Sequence, residues 1–143
     1  MTDRSAAVVA ALRRRHDAWM ADLLTVEQGL EDPRDRILAV FGIRERSEHG
    51  GDAGHCDGTT GVDGGRLRSE HARHLGRVQG HVAGLCAEAG LPSHLAEAVV
   101  LLVQGARLDG VVRGHPGAVR AARTAAAVIM SVYDRDASAT VRS

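Results

Sequence analysis

The chain has almost no aromatic residues. Trp19, Phe41 and Tyr133 are the whole set among 143 residues, so any pocket wall has few flat surfaces to draw on. Lysine is missing altogether, and every basic side chain is an arginine. Beside the abundance of Ala, Gly and Val, this speaks for GC-rich coding rather than for selection of phosphate contacts. Neither sign of charge is in excess, because eighteen acidic residues balance eighteen basic ones. The electrostatic footprint of a nucleic-acid binder or of a protein drawn to an anionic membrane is therefore lacking. Cysteine occurs twice, at Cys56 and Cys86, too sparsely for a disulfide framework. A reducing cytoplasm is the simplest compartment. No apolar run is long enough to cross a bilayer. The start, MTDRSAAVVAALRRRHDAW, has charges on both sides of a short apolar stretch and no small-residue cleavage site, unlike a secretory signal.

What is present is helical periodicity, in a chain long enough for one domain with a real core. Five helices are expected and no strands. The first runs from about Asp3 to Gly29, with Val8, Leu12, His16, Trp19, Leu23 and Val26 on one apolar stripe. The second opens at Asp32-Pro33, an N-cap followed by a proline at the first helical position, and buries Ile37, Leu38 and Phe41. Residues 42–65 have no period and are dense in Gly and Asp, which favours a loop. The third helix runs from about Arg66 to a left-handed cap at Gly90, with Leu67, His71, Val78, Val82, Leu85 and Ala89 on its apolar face. The fourth takes Ser93 as N-cap and ends near Gly114. The fifth starts at His115-Pro116 with Val119, Ala122, Ala126, Ile129, Met130 and Tyr133 on one stripe. Residues 135–143 are expected to fray.

The fourth helix is apolar almost all round from Leu95 to Val103, and such a helix needs cover on more than one side. The fifth offers Ala121, Ala122, Ala125 and Ala126, small enough for close helix approach. A two-fold dimer would cover both surfaces with the same patch of a second copy. A central helix in a monomeric bundle gives the same pattern.

Four stretches occur in a significant order: VVAALRRRHDAWMADL (8–23), EDPRDRILAVF (31–41), GLCAEAGLP (84–92) and LLVQGARLDGVVRGHPGAVRAARTAAAVIM (101–130). Together, residues 1–41 and 66–133 resemble the C-terminal, ligand-sensing and dimerising half of TetR-family transcriptional regulators. The helix-turn-helix that comes first in that family does not precede them in this sequence. The resemblance implies an all-α, antiparallel bundle of about five helices spanning 1–134. Its last two helices would form a four-helix bundle across a dimer axis, through Val99, Leu102, Ala106, Ala122, Ala126, Ile129 and Met130. It also implies a small-molecule pocket inside each subunit, to which this sequence could contribute Trp19, Phe41, His71, His74 and Gln104. Between Phe41 and Arg66 the sequence departs from the family, being shorter, polar and glycine-rich. Each of these residues has a plainer reading as core or as a hydrogen-bonded polar group.

Two other classes compete. His49, His55 and Cys56, together with His71 and His74, supply ligand types suited to zinc or nickel, although their spacing matches no known motif. An enzyme is the least supported class, because the sequence has no G-x-S-x-G elbow, P-loop, G-x-G-x-x-G after a strand, or H-E-x-x-H. The reading that follows is a cytoplasmic, homodimeric, TetR-like sensor or regulatory domain, with no cofactor and no contact to DNA or membrane. It would bind a small molecule or a partner protein. A residual dimerisation fragment that pairs with an intact TetR-type regulator is the variant of this reading.

Overall fold

The computed structural model describes residues 2–44 and 64–142. Among the described residues the fold is all-α, as the periodicity predicts. In chain order it comprises α1 (Thr2–Gln28), α2 (Pro33–Ala39), a 3-10 turn (Val40–Gly42), α3 (Gly64–Ala89), α4 (Leu95–Arg113) and α5 (Ala118–Arg142).

The boundaries follow local chemistry. No glycine or proline interrupts α1, and the chain breaks at Gly29. Asp32 caps α2, its carboxylate accepting from the Arg34 backbone N–H at 2.9 Å, with Pro33 in the first turn. At the end of α3, Gly90 has φ of 72° and the N–H of Leu91 donates to the carbonyl of Cys86 at 2.8 Å. This is the left-handed cap read from the sequence, with buried Leu91 as its apolar lock.

Other boundaries move. The fourth helix starts one residue later than Ser93 predicts: His94 holds the cap position without a side-chain bond, and the Leu95 and Ala96 N–H groups are taken by the carbonyls of Pro92 and Ser93. The third helix starts at Gly64 and the fifth at Ala118, because a turn at Pro116–Gly117 comes first. The tail expected to fray is helical to Arg142, since nothing between Asp134 and Arg142 is a helix breaker.

Directions differ too. Short links make α3, α4 and α5 antiparallel neighbours, and His94 Nε2 meets the Tyr133 hydroxyl at 3.2 Å across the open end of the α4–α5 pair. In contrast, α1 and α3 run parallel. His16 meets Glu70 and Glu27 meets His81, both pairs 54 residues apart.

The core joins Trp19, Met20 and Leu23 of α1 to Ile37, Val40 and Phe41, then to Val78, Val82 and Cys86 of α3 and Val99, Val100 and Val103 of α4. Leu23, fully buried, is worth roughly 2 kcal/mol of apolar transfer by itself. Ala118, Ala122 and Ala126 recur every fourth residue on the buried side of α5 and let its backbone come close. No described helix is long and apolar enough to cross a membrane.

Candidate functional site

On α4, Leu101, Gly105, Leu108 and Val112 share one face, and on α5 so do Ala121, Ala125, Val128 and Val132, at the same spacing. Both faces look outward. Leu101 is 61% exposed, Leu108 65%, Val112 71% and Val128 58%. Between them lies an open groove of about 670 Å³, floored by Ala98, Leu102, Ala106, Ala118 and Ala122. Its far end is polar: Asp109 is held by Arg113 and by His115 Nδ1 at 3.0 Å. The Arg113 bond and then the His115 bond keep the Asp109 carboxyl below its usual range.

Of the residues nominated from sequence for a dimer interface, Leu102, Ala106, Ala122 and Ile129 line this groove. Val99, Ala106, Ala122, Ala126 and Met130 are buried inside the protomer, and Leu102 and Ile129 are half-buried beside them. The small alanines serve α4–α5 packing within one chain, and the larger aliphatics one helical step round the wheel face outward. The all-round apolar character of α4 did not say which of its sides packs inside the protomer.

The second concentration of chemistry lies between α1 and α3. The Glu70 carboxylate is buried. It accepts from Arg73 Nε and Nη2 at 3.0 Å, from Arg13 Nε at 3.1 Å and from His16 Nδ1 at 2.8 Å. The bonds from Arg73, then those from His16 and Arg13, hold Glu70 far below the usual carboxylate range, against burial, which acts the other way. An ionised carboxylate only accepts, so His16 Nδ1 carries the hydrogen. The His16 ring stacks on His74 with centroids 4.0 Å apart and planes within 4°. Trp19 meets His74 edge-on at 5.3 Å, and the Arg107 guanidinium lies 5.5 Å over the Trp19 ring. His74 Nδ1 is buried without a hydrogen-bond partner among the described residues. Burial, then the charges of His16, Arg107, His71 and Arg77, push His74 down to about 3. Roughly three turns further along both helices, Glu27 is buried against His81 Nε2 at 2.7 Å.

The residues nominated for a chamber fall in different places. Trp19 and Phe41 are core residues, and Trp19 Nε1 donates to the Ile43 carbonyl at 3.3 Å. His74 faces His16, His71 is exposed on α3, and Gln104 is half-buried on α4. The void beside Val40, Phe41, Ile43 and Val103 is about 50 Å³, room for water rather than for a metabolite. The stripe assigned to α3 is therefore rotated: Glu70 and His74 point inward where His71 was expected. On α1, Val26 is exposed and Glu27 takes its buried place. His49, His55 and Cys56, the loop half of the zinc or nickel alternative, lie outside the described residues. Among the described residues, no three or more His, Cys, Asp or Glu are placed to hold a metal ion.

The pairs His16–Glu70 and Glu27–His81 were not anticipated. Their signal was there: on each of two helices a histidine and a glutamate recur at one spacing within an apolar stripe, in opposite order. No family model, curated protein or solved structure matches the chain.

Proposed function

We propose that this chain is a homodimerising regulatory domain whose α4 and α5 pair with those of a second copy, as the resemblance to TetR C-terminal halves implies. The outer face of α4 and α5 carries this reading. Two aliphatic rows with the same spacing flank a groove lined by small residues, which is the shape of half a four-helix bundle. Isolated exposed aliphatics are ordinary, but rows of them on adjoining helices mark a contact surface. A two-fold axis makes one patch serve as both partners and counts every buried side chain twice. Burying a leucine contributes roughly 1.5–3 kcal/mol.

The sensing part of the function has no enclosed chamber to support it among the described residues, so the dimer is the conclusion. The experiment is sedimentation or light scattering on the wild type and on a Leu101→Glu, Val128→Glu variant. The wild type should show twice the 15.1 kDa chain mass. The variant should show the single-chain mass with unchanged far-ultraviolet circular dichroism, because both side chains are exposed in the protomer. A folded wild-type monomer at the highest concentration reached would overturn the proposal.

A further inference from the structure

The N-terminal halves of α1 and α3 enclose an open groove of about 520 Å³, lined by Val9, Arg13, Arg66, Ser69, Glu70 and Arg73. The chain is neutral as a whole, but, with Asp17 outside the lining though 3.8 Å from Arg73 Nη2, three guanidinium groups share this groove with a single carboxylate. That carboxylate belongs to buried Glu70, which anchors two of the three: Arg13 from α1 uses only Nε, and Arg73 uses Nε and Nη2. The two arginine side chains stay 56% and 42% exposed. Arg66 has no ion-pair partner among the described residues. Long, flexible side chains that would otherwise lose rotamer freedom on binding are thus partly fixed in advance by a buried anchor. Nitrogens not used on Glu70 remain to donate. Guanidinium groups match oxyanions because two parallel N–H donors meet two oxygens. The exposed Ser69 hydroxyl adds a donor, and Val9 gives an apolar wall.

We infer that this groove binds the oxyanion group of a small metabolite, a phosphate monoester or a carboxylate, held by Arg13, Arg66 and Arg73. Its volume suits a whole small molecule rather than a bare ion. The site lies on α1 and α3 and is independent of the dimer reading, so either can fail alone.

The test is thermal unfolding and isothermal titration with inorganic phosphate and, separately, with succinate, at constant ionic strength set by chloride. A ligand bound to the folded state raises the melting temperature by mass action. Phosphate or succinate should do so for the wild type, and the stronger of the two identifies the oxyanion class. Arg66→Gln removes a side chain with no ion-pair partner among the described residues and should weaken binding about tenfold without loss of fold. Arg13→Gln should weaken it also, while Arg120→Gln, exposed on α5, should bind as the wild type does. The proposal fails if chloride alone gives the same shift, if neither probe binds, or if Arg66→Gln and Arg13→Gln bind as tightly as the wild type.

Discussion

Acidification from pH 7 to pH 5 is expected to cost this fold about 2 kcal/mol through His74 alone. Its ring is 2% exposed. It faces His16 and Trp19 from α1 and lies within the fields of Arg107 from α4 and of His71 and Arg77 on its own helix. In the unfolded chain it takes a proton near the ordinary imidazole value of 6.5, whereas in the fold it stays neutral down to about 3. The depressed value means that the stability held by the neutral ring is complete above the unfolded pKa and is lost as pH falls below it. One proton bound only by the unfolded chain shifts the balance by about 1.36 kcal/mol per pH unit. Integrated from pH 7, where the unfolded imidazole is mostly neutral, to pH 5, where it is charged, this gives about 2 kcal/mol. The figure hardly depends on the folded value, provided that stays well below 5. Glu70 does not confuse the window, since its lowered pKa gives a contribution that is constant above the unfolded value of 4.5 and lost only at lower pH. The assay is urea unfolding followed by the fluorescence of Trp19, the sole tryptophan, at one fixed protein concentration because association adds stability. His74→Leu keeps the bulk and removes the titration. The wild type should lose about 2 kcal/mol more than this variant between the two pH values. Equal losses in the two proteins would refute the reasoning.

Two further outcomes follow from the packing. Ala126→Arg should unfold the protomer rather than merely split a dimer, because Ala126 is 2% exposed against the core and an uncompensated charge there is very costly; circular dichroism distinguishes the two. Gly80→Ala should stabilise α3 by roughly 0.5–1 kcal/mol, since the added methyl meets nothing within 4 Å, whereas Gly90→Ala should destabilise by about 1 kcal/mol because its φ is 72°; denaturation midpoints measure both.

The helices were legible because their stops are written in single residues: Gly29, Asp32-Pro33, Gly90 and Gly114 each end or begin an element where expected. The faces were less so. Periodicity places apolar residues on a stripe, yet α3 turns Glu70 and His74 inward and leaves His71 outside, because each inward polar group is paired or stacked by a residue more than 50 positions away. A partner at that distance leaves no trace in the periodicity of one helix, and only the mirrored His and Glu spacing of the two helices points to it. The α4–α5 face was ambiguous for a related reason. Alanine and valine fit both a protomer core and a dimer seam, and only the packing of α5 on α4 decides between them. The pocket expected from Trp19 and Phe41 could not be judged from residue type, since a buried aromatic looks the same whether it lines a chamber or fills one.

The parallel run of α1 and α3 has a consequence for how the chain reaches this state. The α3–α4 and α4–α5 hairpins join neighbours through links of a few residues, so their contacts are local and rapid to form. The docking of α1 on α3 must instead close a separation of 54 residues. It is the step most exposed to chain entropy, and on these grounds the last to be made. The His16–Glu70 and Glu27–His81 pairs must match on both helices at once, so a slip of one helix by a turn along the other breaks both together.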